Sequence, residues 1–362
     1  MASEFFTKAK SAKNDEFYTQ WIDIESEVQA YFEFNPDVFK GKTVLCPCDD
    51  PEWSNFTKFF ALHFKEYGLK KLISTSYAPE SKANKSDYQI SLFELNDPKF
   101  DESRTNTNGK IFILDNNDVN KDGIVNIDDL QWDYMDGDGD FRSAEVMKLR
   151  NEADVIITNP PFSLFREFLS WIVDAEKQFL IISNLNAITY KEVFPLIKDN
   201  RMWMGLAFGR SFKGFIVPKS YPLSGTEARI DEQGNRIVST NNTIWFTNLD
   251  HGRRHQPIPL MTMADNLKFS KHKEIKGKAN YDKYDNYNAI DVPYTDSIPS
   301  DYDGVMGVPI SFLNKYCSDQ FEILGSNRGV DQDPNGVYGK GSLINGVETY
   351  KRLFIKHREA VR

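Results

Sequence analysis

Along the first half of the chain, apolar residues switch between helical and strand-like spacing, and each switch predicts an element. In WIDIESEVQAYFEF (21–34), Ile22, Val28 and Phe32 stand among polar residues at loosely helical intervals, and Pro36 follows as a stop, which predicts a helix. KTVLC (42–46) reads as a short buried strand, and a second helix is expected from about 54 to 67, closed by Gly68. Residues 72–77 and 110–114 read as further strands, 144–150 as a helix, and DVIIT (154–158) as an apolar strand running straight into Asn159. Residues 163–176 are amphipathic, with Ser163 as the expected N-cap, and FLIIS (179–183) is one more buried strand.

Strands that alternate with helices, and apolar runs too continuous for a half-exposed sheet, predict an α/β fold built on a mostly parallel sheet. Such sheets bind ligands at the carboxyl ends of their strands, and both Asp49 and Asn159 stand at such ends. Beyond about 200, Gly, Pro, Asn and Tyr multiply and the apolar runs shorten, which predicts an irregular β-rich region grafted on the sheet.

Composition changes this picture little, and charge changes it more. Aromatics make up 14% of the chain, which a large core explains as well as base stacking does. The sequence has no apolar run of transmembrane length and no apolar segment near the N-terminus, so neither a membrane span nor a secretory signal is expected; the protein reads as cytoplasmic. Cys46, Cys48 and Cys317 form no disulfide framework or zinc pattern and read as reduced thiols. The net charge of −9 conceals a strong polarity. Residues 201–280 carry thirteen Lys and Arg against six acids, whereas 86–145 carry fifteen acids against five bases. A basic third quarter suits a nucleic-acid partner, with a solvated basic face as the plainer alternative.

Asn159-Pro160-Pro161-Phe162, entered from a strand and followed by a helix, is the motif that carries chemistry. The amino nitrogen of adenine or of glutamine is a poor nucleophile because its lone pair is delocalised. The side-chain carbonyl of Asn159 and the backbone carbonyl of Pro160 can hold its two hydrogens and localise that lone pair. Pro161 stiffens the loop, and Phe162 offers a face on which an extruded base can stack. A turn that merely ends a strand is the alternative. A second motif has the spacing of a twelve-residue calcium loop: Asp118, Asn120, Asp122, the backbone of Ile124, Asn126 and Asp129, with Gly123 at the sixth position. A helix over 128–132 would follow it, and a structural Ca2+ there would order the acidic segment at about 115–135.

The segments GDGDFRS (137–143), TNPPFSLFRE (158–167), NAITYKEVFPLIK (186–198), GTEARID (225–231), TNLDH (247–251) and DYDGVMGVPISFL (301–313), together with DEFYTQ (15–20) and CDDP (48–51), resemble the EcoRI-like adenine-specific DNA methyltransferases in order along nearly the whole chain. That resemblance implies a Rossmann-like S-adenosylmethionine-dependent sheet over 1–200, an irregular β-rich target-recognition region over 201–310 and a C-terminal segment over 311–362. It implies that Asn159, Pro160, Pro161 and Phe162 are the catalytic motif. Tyr18 and Thr19 match the N-terminal cofactor motif, Asp140 and Phe141 match the contact to the cofactor's adenine, and 47–50 occupy the place of the first-strand glycine-rich loop. The loop departs from the general pattern: Asp49 and Asp50 stand where glycines are usual, either to hold the methionine ammonium group beside Pro47 or as plain capping residues. Arg210, Lys213, Arg229, Arg253 and Arg254 are the expected contacts to double-stranded DNA. The resemblance further implies a restriction–modification setting and a short AT-centred site such as GAATTC; a monomer is one possible state, and the residues leave the oligomeric state open. A protein-glutamine or RNA methyltransferase, and a catalytically silent DNA- or calcium-binding module, stay open as alternatives.

Overall fold

The computed structural model describes residues 18–50, 54–78, 97–208, 211–217, 228–239, 242–328 and 341–358. In chain order its elements are β1 (Tyr18–Thr19), α1 (Trp21–Phe34), β2 (Thr43–Cys46), α2 (Asn55–Leu62), β3 (Lys71–Ser76), α3 (Glu102–Thr107), β4 (Lys110–Leu114), β5 (Gln131–Tyr134), α4 (Ala144–Glu152), β6 (Val155–Thr158), α5 (Phe165–Val173) and β7 (Gln178–Asn184). They continue with α6 (Phe194–Lys198), β8 (Trp203–Phe208), β9 (Phe215–Val217), β10 (Ala228–Ile230), β11 (Arg236–Val238), β12 (Thr243–Thr247), α7 (Met263–Phe269), β13 (Ala289–Asp291), β14 (Val305–Pro309), β15 (Phe321–Ser326), β16 (Leu343–Ile344), β17 (Val347–Glu348) and β18 (Arg352–His357).

The described residues form two compact units, one up to Leu185 with Gly205–Leu249, the other Asn186–Met204 with the chain from Asp250 onward. These breaks do not coincide with 200 and 310: residues 205–249 fold with the N-terminal unit and 250–310 with the C-terminal one.

The first unit is built on an eight-stranded sheet of order β5-β4-β3-β2-β6-β7-β12-β8. Only its centre is parallel: β2 pairs in parallel with β3 and β6, and β6 with β7. Around that centre β3–β4, β4–β5 and β7–β12 are antiparallel, so the expectation of a mostly parallel sheet holds only for the middle four strands. The acidic loop, not a crossover helix, joins β4 to β5, and a strand that returns without a crossover must run antiparallel. The parallel strands are covered on both faces, which is why their sequences are apolar without alternation. Val44, Leu72, Ile157 and Leu180 share one core with Ile24, Val28, Phe56, Phe59 and Phe60 of α1 and α2. On the opposite face Phe165 of α5 meets Phe246 of β12 at 6.0 Å.

Three local expectations are corrected. The helix expected at 128–132 is a 3-10 turn, Ile127–Asp129, followed by strand β5. Trp132 and Tyr134 alternate inward and stack edge to face at 5.1 Å, so the period of two prevails. Helix α2 stops at Leu62, capped at its start by the Ser54 side chain, and turns carry the chain on to Gly68. Ser163 does not cap α5; it lies inside a 3-10 turn, Phe162–Leu164, that begins where the Pro161 carbonyl accepts from Leu164 N–H at 3.0 Å. A second, four-stranded sheet of the first unit, β1-β9-β11-β10, is antiparallel throughout.

The second unit holds the sheet β13-β14-β18-β15 and the hairpin β16–β17. Strands β13, β16 and β17 here, and β9–β11 in the first unit, are only two to three residues long, whereas β14, β15 and β18 run to five or six.

Candidate active site

The order β3-β2-β6 means that the chain leaves β2 toward one side of the sheet and later returns on the other. The crevice beyond the carboxyl ends of β2 and β6 is therefore where an α/β sheet accepts a ligand. Residues 47–50 lie at one lip and Asn159–Phe162 at the other, as the sequence predicted. The Thr158 hydroxyl ties the two together by donating to the Pro47 carbonyl at 2.7 Å.

At the end of β2 the absent glycines are replaced in kind. Cys48 itself takes φ 60, the left-handed conformation that glycine adopts freely. Its N–H and that of Asp49 turn back onto Thr75 of β3. The Asp49 carboxylate is buried and already engaged: it accepts from the Ser54 hydroxyl, from Thr57 N–H at 3.0 Å and from the Thr57 hydroxyl at 2.6 Å. Burial pushes Asp49 up to about 6 against the pull of those bonds. It thus anchors the start of α2, which is the capping alternative raised from sequence. Asp50 is also buried, at the same lip. Burial and the neighbouring Asp49 push the Cys46 thiol up, which leaves it a poor nucleophile.

The GDGD loop closes over the end of β3. Ala78 N–H donates to Asp138 O at 2.8 Å and Gly109 N–H to Gly137 O at 2.9 Å. Asp140 is paired through both oxygens with Arg142, at 2.9 and 2.6 Å, which holds its carboxyl below the usual range. Phe141 is buried, edge-on to Phe168 at 5.1 Å and Trp171 at 5.7 Å. Its ring packs on α5 in this structure.

Phe162 is half-buried, packed against the main core and edge-on to Phe215 at 5.8 Å. Phe215 pairs in β9 with Thr19 of β1, so the N-terminal motif is brought beside the Asn-Pro-Pro-Phe loop. Asn55 holds the Thr19 carbonyl at 2.8 Å. The Thr19 hydroxyl is buried and has no hydrogen-bond partner among the described residues. Sequence reasoning missed Thr158, Phe215 and the Ser54–Thr57 pair, because each acts through a partner far away in sequence.

The basic candidates divide. Arg210 lies outside the described residues. Lys213 is exposed. Arg229 spends its guanidinium on Lys213 O at 2.7 Å and on the Ser239 hydroxyl at 2.9 Å. Arg253 is half-buried. The Arg254 guanidinium lies 3.3 Å from the Trp203 ring centre and bonds Asp250 at 2.8 Å and Asn200 at 2.7 Å.

The calcium loop is not supported. Asp118 accepts from Asp122 and Gly123 N–H, Asn120 and Asp122 bond each other, and Asn126 caps the following turn. Asp129, the expected closing ligand, is buried and accepts from Val119, Asn120 and Asn126 N–H, while Ile124 N–H is taken by Asp122. Among the described residues no group of three or more His, Cys, Asp or Glu is gathered for a metal ion. Also among them, no helix is long and apolar enough to cross a membrane.

The profile of a family described as "Adenine-specific methyltransferase EcoRI" matches residues 5–358. The chain is 46% identical to the Type II methyltransferase M.EcoRI of Escherichia coli, over 97% of this chain and 95% of that protein. It is 32% identical to the Type II methyltransferase M.MpnI of Mycoplasma pneumoniae, over 99% of both chains. It is also 32% identical to M.MgeORF184P of Mycoplasma genitalium, over 98% of this chain and 99% of that protein. No solved structure matches the chain significantly.

Proposed function

The chain belongs to the family of EcoRI adenine-specific methyltransferases and is a DNA methyltransferase of the restriction–modification type, and from that premise we propose that it methylates the N6 amine of an adenine flipped out of duplex DNA. The observation that carries this reading is the meeting of Asn159–Phe162 with residues 47–50 at the point where the sheet order reverses, bridged by Thr158. The fold is a mixed α/β one with several sheets; we read its parallel centre as Rossmann-like.

S-adenosylmethionine, the methyl donor that the family uses, supplies an electrophilic methyl group on a sulfonium. The residues present fit it: Thr19 offers a buried hydroxyl with no partner among the described residues, and Asp50 stands at the lip of the crevice. Tyr18, Pro47, Asp140 and Phe141 complete the proposed cofactor side, while Asp49 acts by fixing that lip. On the substrate side the Asn159 and Pro160 carbonyls hold the two amine hydrogens, and the lone pair turns toward the donor. Pro161 restrains the loop, and the Phe162 ring carries the flipped base, which excludes water from one of its faces. No covalent bond to the protein is needed. Arg210, Lys213, Arg229, Arg253 and Arg254 remain the proposed DNA contacts, with 201–310 as recognition region and 311–362 as C-terminal segment. A site such as GAATTC follows from the likeness to M.EcoRI, and we take the enzyme to act as a cytoplasmic monomer.

Phe162→Ala should weaken capture of the flipped base, read by 2-aminopurine fluorescence at the target position, and slow methyl transfer by about 5- to 150-fold, since stacking one base on an aromatic ring contributes about 1–3 kcal/mol. Phe162→Tyr should retain most of the rate. A tyrosine variant as inactive as alanine would remove stacking as the role of this ring.

A further inference from the structure

Helix α1 carries two carboxylates one turn apart, Asp23 and Glu27, and both are buried. Each accepts hydrogen bonds from backbone N–H groups distant in sequence. Glu27 accepts from Leu206 N–H at 2.8 Å, Ala207 N–H at 2.7 Å and the Tyr31 hydroxyl at 2.8 Å. Asp23 accepts from Lys213 N–H at 2.9 and 3.1 Å through its two oxygens. Together they grip both ends of the stretch from 206 to 214. Burying carboxylates is unfavourable even when they are hydrogen-bonded, and apolar side chains would hold a helix to a sheet with less loss. Burial indeed pushes Asp23 up to about 6 despite the nearby charges of Lys213 and Arg229.

What these bonds fix is one turn. Around Lys213-Gly214 further bonds come from segments distant in sequence: the Lys213 carbonyl accepts from Arg229 and Ser239, and the Gly214 carbonyl from Gln20. Gly214 takes φ +107, and a Cβ there would stand 2.4 Å from the Ser239 hydroxyl, so only glycine fits. The residue that leaves this turn is Phe215, whose ring packs edge-on against Phe162 at 5.8 Å.

We propose that Asp23 is a positioning residue for methyl transfer: by holding the Lys213-Gly214 turn it seats Phe215 against Phe162 and so sets the angle of the ring on which the target base stacks. Arg229 and Gln20 serve the same turn from its other side. The proposal rests on the reading that Phe162 stacks the flipped base.

The test is a double-mutant cycle on the full-length enzyme, with single-turnover methylation of a duplex at saturating S-adenosylmethionine as readout. Asp23→Ala should lower the rate about tenfold or more and depress the 2-aminopurine signal, with cofactor affinity within about threefold, because Asn55 gives β1 a second hold. Asp23→Asn, which keeps one acceptor oxygen, should recover part of the rate. In the Phe162→Ala background Asp23→Ala should cost less than about twofold more, because the ring it positions is gone. If the two losses multiply, or if Asp23→Ala lowers only the melting temperature at an unchanged rate, the proposal is overturned. A Phe162→Ala variant with normal base capture would instead strike the stacking reading itself, and the two failures are thereby separable.

Discussion

Asn159→Ala should abolish methylation while leaving S-adenosylmethionine binding close to that of the unaltered enzyme. The side-chain carbonyl acts on the substrate amine. Losing one preorganised polar group that acts mainly in the transition state costs about a hundred- to a thousandfold in rate. The motif leaves no substitute: Pro160 offers its backbone carbonyl but no N–H, Pro161 has neither an N–H nor a polar side chain, and Phe162 is apolar. Asn159 follows directly on β6, whose strand residues are all buried, so alanine at its end should not disturb the sheet. Single-turnover methylation and calorimetric cofactor binding on the same preparation separate the two effects. Activity within about tenfold of the unaltered enzyme would remove Asn159 from the chemistry.

Gly139→Ala should be the most damaging conservative change on the cofactor side. Gly139 takes φ +84, and a Cβ built there stands 2.2 Å from the Ser76 carbonyl oxygen and 3.3 Å from the Gly109 Cα. Both are backbone atoms, so no side chain can move aside. The left-handed conformation alone costs a non-glycine residue about 1–2 kcal/mol, and displacing packed backbone adds about 1–3 kcal/mol. A loss near 3 kcal/mol is expected, visible as a lower melting temperature, with cofactor affinity down by about tenfold or more, because Asp138–Asp140 would be pushed off the end of β3. Gly137→Ala is the control: a Cβ there meets nothing within 4 Å. Equal behaviour of the two variants would show that the loop has no part in the site.

How much of this was legible in the sequence follows from the range of the interactions. The buried strands and their bounding turns are local facts, and KTVLC, DVIIT and FLIIS appear where the apolar runs place them. The Asn-Pro-Pro-Phe motif is contiguous, and it lies where a strand-end motif must. Sheet direction was only half legible, because parallel and antiparallel neighbours differ in their connections and not in their residues. Residue spacing gave the acidic loop its calcium signature, but spacing says nothing about where carboxylates point, and those of Asp118 and Asp129 point at backbone N–H groups of the loop itself. The charge of Arg254 is visible in sequence, whereas the Trp203 ring beneath it and Asp250 beside it are visible only after folding. The same holds for Asp23 and Glu27, which look like the polar face of an exposed helix until β8 and the turn before β9 are laid against them.

The central claim is that this chain places a methyl group on adenine N6 in duplex DNA. The most direct measurement is the modified-base content and position in plasmid DNA from cells expressing the protein, set beside DNA from cells expressing Asn159→Ala. N6-methyladenine is expected at one short AT-centred site in the first DNA and not at that site in the second. Plasmid lacking N6-methyladenine in both, or carrying the new methyl group on cytosine, would contradict it.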